Sequence, residues 1–155
     1  MKINITKKQY LALIELIYLG DFMVNGIRVG DDQVEEYNDL REYIYSFAKQ
    51  MGYDHLIEKD SANGKYYETR EFEDGIVSEY KKEYDEDVFW TELAYKLGMR
   101  DVERLQKLKT EKIDRETFLR EVWSKEDGYL EEFMRNGLRN VQVKFPNESN
   151  ERNGE

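Results

Sequence analysis

Apolar residues recur at spacings of three and four along most of this chain, and this spacing is the period of a helix with one buried face. The chain has 155 residues, which fits one domain with a sizeable core. Twelve Tyr, seven Phe and two Trp supply more aromatic surface than a disordered chain carries. We therefore predict an all-α, mainly helical single domain over residues 1–146, with at most a small two-stranded β element, and a disordered tail over residues 147–155.

The first helix carries the clearest start signal. Thr6 and Gln9 have the spacing of a capping box, in which each side chain binds the backbone N–H of the other residue. The helix should continue to about Met23 or Val24, because Gly26 is placed to break it. Apolar residues cover nearly its whole circumference, so we expect this helix to be central and surrounded by other elements.

Further start and stop signals divide the rest of the chain into shorter helices. They predict a helix from Asp31 or Asp32 to Gly52, one from Thr69, one from the acidic cluster Glu83–Asp87 to Gly98, and helical segments between Asp114 and Gly137. The inward face predicted for the first of these helices consists of Tyr37, Leu40, Ile44, Phe47 and Met51. Both Trp90 and Trp123 lie among apolar residues at helical spacing, so both are predicted to be in the core.

Two places carry strand signals. Asn63–Gly64 lies between short apolar flanks and favours a small hairpin, because both residues tolerate the positive φ of a tight turn. Val141–Phe145 alternates apolar and polar residues before a proline, which predicts a terminal strand. We hypothesise that it pairs with the alternating segment Ile3–Ile5.

The acidic residues are concentrated in the middle of the chain, although the whole chain has a net charge of −10. Residues 31–92 hold 19 acidic and 7 basic residues, a net charge of −12. Residues 100–125 hold 8 basic and 6 acidic residues, a net charge of +2. A strongly negative region attracts basic protein surfaces and repels phosphate backbones, so we expect no direct nucleic-acid binding. Mimicry of nucleic acid, with carboxylates in place of phosphates, is an alternative.

The composition excludes several kinds of site. The chain has no Cys, so neither a disulfide nor a thiolate metal site can form, and its single His rules out any site with two imidazoles. The apolar run Tyr10–Leu19 is too short to span a bilayer and is not followed by the small residues of a cleavage site. The expectation is a cytoplasmic protein without a membrane partner.

Five carboxylates suggest an alternative function that depends on magnesium. Acidic residues three or four apart lie on one face of a helix, and two such faces can hold Mg²⁺ through carboxylate oxygens. The residues with this spacing are Glu35, Glu36, Asp39, Glu71 and Asp74. They resemble the carboxylate pattern of the all-helical nucleotide pyrophosphatases, although Asp39 stands where that family has Glu and the gap before Glu71 is longer. The resemblance implies an Mg²⁺-dependent hydrolase of nucleoside triphosphates.

A second resemblance covers more of the chain, up to about Leu105. The stretches Glu36–Ile44, Glu71–Asp74 and Glu83–Trp90 are similar to a group of small, acidic, helical bacterial proteins that carry no assigned activity. This resemblance implies a mainly helical fold and a bacterial cytoplasmic origin. It implies neither a site nor a mechanism.

The preferred function is non-catalytic. We predict a protein-binding or regulatory module that needs no cofactor and whose acidic face meets a basic protein surface. Asp85, Glu86 and Asp87, the densest acidic cluster, are the predicted partner-binding residues.

Overall fold

The computed structural model describes residues 3–109, 111 and 113–143. Helix accounts for 69% of this part of the chain, and its two strands form one antiparallel sheet, which confirms the mainly helical fold with a small two-stranded element. The elements in chain order are α1 Lys7–Asn25, α2 Glu35–Tyr45, α3 Ala48–Met51, β1 Ile57–Lys59, β2 Tyr66–Glu68, α4 Arg70–Glu73, α5 Ile76–Leu108 and α6 Arg115–Asn136.

The chain divides into two compact units, Met1–Asp85 and Glu86–Glu155. The boundary falls within α5, which contributes residues to both units. The single domain over residues 1–146 stays a prediction. The tail predicted for residues 147–155 lies outside the described residues.

Helix α1 begins and ends close to the predicted positions. The Gln9 N–H donates to Thr6 Oγ1 over 3.2 Å, and the Thr6 N–H donates to Gln9 Oε1 over 2.9 Å. These bonds confirm the capping box and satisfy two N–H groups that a helix start leaves free. The helix ends at Asn25, immediately before Gly26.

The start of α2 differs from the prediction. Asp31 and Asp32 lie in a 3₁₀ turn, Gly30–Asp32, and neither caps the helix. The N-cap is Val34, whose N–H donates to Asn25 Oδ1 over 2.9 Å. A side chain at the end of α1 therefore fixes the start of α2, and a local capping pattern cannot reveal such a partner.

The inward face predicted for this part of the chain is confirmed only in part. Ile44 and Met51 pack against the core of the first unit, whereas Tyr37 and Leu40 are about half exposed. The fully buried residues are Tyr45 of α2 and Ala48 of α3, so the inward face is turned towards Tyr45, whose hydroxyl has a partner on β2. After a short interruption the chain continues as α3, and Gly52 ends α3 with φ +84°, as predicted.

Strands β1 and β2 form the predicted hairpin. Ile57 pairs with Glu68, and Lys59 pairs with Tyr66. Gly64 lies in the connecting loop with φ +74°, a left-handed conformation that favours glycine.

Aromatic rings make up much of the core of the first unit. The Tyr10 hydroxyl donates to the Ile44 carbonyl oxygen over 2.7 Å, so this buried polar group is satisfied. Burial raises the pKa of Tyr10 from its usual value of about 10 to about 12, so the hydroxyl stays a donor into the alkaline range. The buried residues of this core are Tyr10, Ile14, Tyr45, Ala48, Ile57, Phe72 and Val77.

Helix α5 departs most from the prediction. The helix expected from Thr69 is split, because α4 ends before Gly75 and α5 begins at Ile76. Helix α5 then runs for 33 residues, through the acidic cluster that was predicted to start a helix and through Gly98, which was predicted to end one. Gly98 is buried, and a Cβ atom there would lie 3.0 Å from the Val122 carbonyl oxygen of α6. This glycine therefore permits close helix packing and does not stop the helix.

Both predicted ends of α6 are confirmed. Asp114 is the N-cap, because its Oδ1 accepts from the Thr117 N–H over 3.0 Å. Gly137 follows the helix with φ +56°, and its N–H donates to the Phe133 carbonyl oxygen.

Two other predictions fail. Trp123 is 56% exposed and is not a core residue, whereas Trp90 is partly buried. Neither Ile3–Ile5 nor Val141–Val143 is a strand, and both segments expose apolar side chains; Phe145 lies outside the described residues. An alternating pattern of three to five residues is a weak strand signal, because a two-stranded pair is at best marginally stable on its own.

Candidate functional site

The five residues of the magnesium hypothesis are all exposed. Glu35, Glu36 and Asp39 lie in the first two turns of α2, Glu71 lies in α4, and Asp74 follows α4. Within residues 3–109, 111 and 113–143, no three His, Cys, Asp or Glu side chains are grouped in a way that could hold a metal ion. The structure therefore does not bring these five carboxylates together as a magnesium site, and the hydrolase stays a prediction without a ligand cluster.

The predicted partner-binding residues lie in a fully exposed part of α5. Asp85, Glu86 and Asp87 are exposed, and so are the three residues before them, so that the whole stretch Lys82–Asp87 reaches solvent. Successive residues of a helix point about 100° apart, so these three carboxylates spread over about 200° of its circumference.

The first unit carries a larger set of exposed carboxylates, which we call the acidic surface. None of them forms an ion pair within the described part of the chain. The first unit holds 18 acidic and 11 basic residues, a net charge of −7. The thirteen residues of the acidic surface are Asp31, Asp32, Glu35, Glu36, Asp39, Asp54, Glu58, Glu71, Glu73, Asp74, Glu79, Glu83 and Asp85.

Two other carboxylates of the first unit, Asp21 and Glu68, point inward. They are partly buried and form what we call the buried polar cluster with partly buried Arg41 and with Asn25 and Tyr45, which are buried. Arg41 Nη1 lies 2.8 Å from Asp21 Oδ2 and 3.8 Å from Glu68 Oε1. The Asn25 amide donates to Asp21 Oδ1 over 2.7 Å, and the Tyr45 hydroxyl donates to Glu68 Oε1 over 2.8 Å. The cluster therefore joins α1, α2 and β2 through charge-assisted hydrogen bonds.

The geometry of this cluster indicates a structural role. Burial, followed by the charge and hydrogen bond of Glu68, raises the pKa of Tyr45, so its hydroxyl remains a donor. The carboxylates of Asp21 and Glu68 both accept hydrogen bonds from side chains of the cluster, which leaves them poorly placed to abstract a proton from a substrate.

An open polar cavity of about 350 Å³ lies beside Arg41 and Glu68.

The second unit has a smaller polar cluster between α5 and α6. The Tyr129 hydroxyl donates to Asp101 Oδ2 over 2.5 Å, and Arg100 Nε donates to Asp101 Oδ1 over 2.9 Å. Partial burial opposes ionisation of Asp101, but these two hydrogen bonds outweigh it and lower the pKa of the carboxyl group. The same burial and the Asp101 carboxylate raise the pKa of Tyr129. This cluster also ties helices together.

The buried polar cluster was missed by the sequence reasoning, although the sequence carries a signal for it. Asp21 interrupts the apolar run of α1 on the same face as Ile14, and Arg41 lies one turn before Tyr45 on α2. Opposite charges on the inward faces of two neighbouring helices indicate a buried pair, because an unpaired buried charge is too costly.

Comparison with known proteins yields no relative: no protein-family model, no curated protein and no solved structure matches this chain. Among the helices that the structure describes, none combines the length and the apolar character required to cross a bilayer.

Proposed function

We propose that this chain is a non-catalytic, cytoplasmic protein-binding or regulatory module whose acidic surface meets a basic surface of a protein partner. The observation that supports this proposal is the contrast between the two sets of carboxylates in the first unit. The inward carboxylates, Asp21 and Glu68, share the Arg41 guanidinium and accept hydrogen bonds, whereas the thirteen outward carboxylates have no ion pair within the described residues. Their field is therefore available to steer a positively charged partner.

The first test is the salt dependence of binding to a partner isolated from the native host. The screening length falls from about 30 Å at 0.01 M salt to about 3 Å at 1 M salt, so the affinity of the purified pair should fall steeply between these conditions. An affinity that does not change with salt would remove the electrostatic basis of the proposal.

A charge-reversal pair tests the predicted contact at residues 85–87, of which Asp85 belongs to the acidic surface and Glu86 and Asp87 follow it on α5. The variant Asp85→Lys, Glu86→Lys, Asp87→Lys should weaken binding more than Glu148→Lys, Glu151→Lys, Glu155→Lys, which makes the same change in net charge in the C-terminal segment. Circular dichroism checks that α5 remains helical in the first variant. Equal losses in the two variants would show that only net charge matters and would contradict a contact at residues 85–87.

Two further assays separate this function from its alternatives. Release of pyrophosphate from nucleoside triphosphates with Mg²⁺ or Mn²⁺ would favour the hydrolase. Competition with DNA for the same basic partner would favour nucleic-acid mimicry.

A further inference from the structure

One side of α1 is apolar and open to solvent. Ala12, Leu16, Leu19 and Met23 lie at spacings of four, three and four, so they form a single stripe along the helix. Leu16 is 67% exposed and Met23 is 57% exposed, whereas Tyr10 and Ile14 on the other side are buried. The expectation that α1 is surrounded is therefore wrong for this stripe. A contiguous apolar stripe on the exposed side of a helix is a candidate interaction surface.

The first part of α5 supplies a second apolar wall within the same unit. Tyr80 and Tyr84 are one turn apart, and each is about half exposed. A cavity of about 340 Å³ lies between these rings and Leu19, Phe22 and Met23 of α1. We call the apolar groove the surface formed by Leu19, Met23, Tyr80 and Tyr84, which line this cavity, together with exposed Leu16, which extends the stripe of α1 beyond it.

Lys81 also lines the groove and carries the one positive charge among the described residues that line it. Its Nζ lies 3.7 Å from the centre of the Phe22 ring and 5.4 Å from that of Tyr18, so the ammonium group rests on aromatic faces. Two carboxylates of α5 lie beside Tyr80 and Tyr84. Glu83 lies three residues after Tyr80 on the same side of the helix, Asp85 lines the groove, and neither forms an ion pair within the described residues.

We propose that the apolar groove binds an amphipathic helix of a basic protein partner. The partner helix would insert apolar side chains at spacings of three and four between α1 and α5 and would place Lys or Arg beside Glu83 and Asp85. The stripe from Ala12 to Met23 is about 16 Å long, which matches about three turns of helix. This inference rests on the proposed function and specifies the form of the partner.

Charge complementarity favours this occupant over a second copy of the chain. The first unit carries a net charge of −7, so two copies facing each other at this groove would bring like charges together. A helix with Lys and Arg along its edges instead gains both apolar burial and attraction.

The test uses a designed helical peptide of about 18 residues, with Leu at helical spacing and Lys at the remaining positions, labelled for fluorescence anisotropy against the full chain. Leu16→Gln with Met23→Gln should weaken binding on the order of tenfold or more, because two apolar contacts are lost without a change in charge. Ile27→Gln with Val29→Gln is the matched control, since both side chains are more than four-fifths exposed and lie outside the groove. A second peptide with Glu in place of Lys should bind at least about tenfold more weakly.

Each other result overturns the inference in a distinguishable way. Equal peptide binding by both double variants, together with salt-dependent binding of the native partner, would exclude the groove and leave the proposed function standing. Equal binding of the Lys and Glu peptides would exclude a basic occupant. Self-association that Leu16→Gln with Met23→Gln abolishes, measured by sedimentation, would assign the groove to a second copy of the chain. If the native partner binds independently of salt, the proposed function fails, whatever the peptides do.

Discussion

The two units differ in whether their exposed carboxylates form ion pairs. In the second unit, three exposed carboxylates each pair with a basic residue one turn later: Glu92 with Lys96 at 3.0 Å, Glu116 with Arg120 at 3.0 Å and Glu131 with Arg135 at 3.4 Å. In the first unit, none of the thirteen carboxylates of the acidic surface has such a partner among the described residues. Counted over the whole sequence, the second unit holds 16 acidic and 13 basic residues, a net charge of −3, against −7 in the first.

This difference shows that the spacing of charges matters as much as their number. An acid that precedes a base by four residues on a helix is neutralised locally, so its field does not reach far from the surface. The first unit lacks this arrangement on its exposed faces and uses its only paired arginine, among the described residues, in the buried polar cluster. The long-range field of the molecule therefore comes mainly from the first unit.

The two units also differ in how they are held together. The first unit relies on buried rings and on the polar cluster of Asp21, Arg41 and Glu68, whereas in the second unit the backbones of α5 and α6 approach closely at Gly98. Substitutions can test each side of this comparison.

The largest effect should follow from loss of the partly buried Arg41 cation. Arg41→Leu leaves the side chains of Asp21 and Glu68, which are 11% and 9% exposed, without their counter-ion. We expect the free energy of unfolding in urea to fall by about 3 kcal/mol. Arg70→Leu removes the same charge from an exposed position and should change it by less than about 0.5 kcal/mol. Equal losses of unfolding free energy in Arg41→Leu and Arg70→Leu would mean that Arg41 stabilises the fold only through the net charge of the chain.

Two glycine substitutions should act in opposite directions in the second unit. A Cβ atom at Gly98 would lie 3.0 Å from the Val122 carbonyl oxygen and 3.3 Å from the Glu126 nitrogen, so Gly98→Ala should destabilise by about 2 kcal/mol. Gly128 lies inside α6 with no heavy atom within 4 Å of such a Cβ, so Gly128→Ala should stabilise by about 0.5–1 kcal/mol. Thermal unfolding should show a lower melting temperature for Gly98→Ala and a higher one for Gly128→Ala. A higher melting temperature for Gly98→Ala would refute the close approach of α5 and α6.

A smaller effect should appear at acid pH. Because the pKa of Asp101 is lowered in the folded chain, its stabilising contribution is complete above the unfolded value of about 3.9 and is lost as the pH falls through the folded pKa. Asp101→Asn should therefore flatten the loss of stability below about pH 4, measured as unfolding free energy over a pH series. Tyr129→Phe removes one of the two hydrogen bonds to this carboxyl group and should give part of the same flattening. If the pH dependence of stability is the same for Asp101→Asn and for the unchanged chain, the lowered pKa of Asp101 does not contribute to stability.

The smallest effect should come from the exposed pairs of the second unit. Glu116→Gln breaks a pair in which both side chains are more than two-thirds exposed, so we expect a loss of less than about 0.5 kcal/mol. Glu103→Gln changes an exposed carboxylate that has no ion pair within the described residues and serves as the control. If Glu116→Gln lowered the free energy of unfolding relative to Glu103→Gln by as much as Arg41→Leu does, exposed and partly buried ion pairs would contribute equally, contrary to this prediction.

Local signals predicted much of the fold. Thr6, Gly52, Asp114 and Gly137 each act through residues within one turn, and the structure confirms all four. Asn63–Gly64 likewise marks the hairpin, because the turn depends on its own backbone angles. The mainly helical class follows from the apolar period.

The predictions that failed depend on partners far along the chain. Val34 starts α2 because Asn25 accepts its N–H, and Tyr45 turns inward because Glu68 accepts its hydroxyl. Gly98 continues α5 because α6 approaches it. Of the site, the charge asymmetry was visible in the sequence, but the division into inward and outward carboxylates required the fold.

The exposed stretch Lys82–Asp87 of α5 has a consequence for how this helix opens. Glu83 lies three and four residues before Glu86 and Asp87, so like charges repel along this turn, and no side chain there is buried to offset the repulsion. Amide hydrogens in this turn should exchange with solvent sooner than those around buried Ala94 and Val102, as native-state exchange measured by mass spectrometry can resolve. A cation bound beside these carboxylates would slow that exchange, so the turn would act as a built-in reporter of its own occupancy.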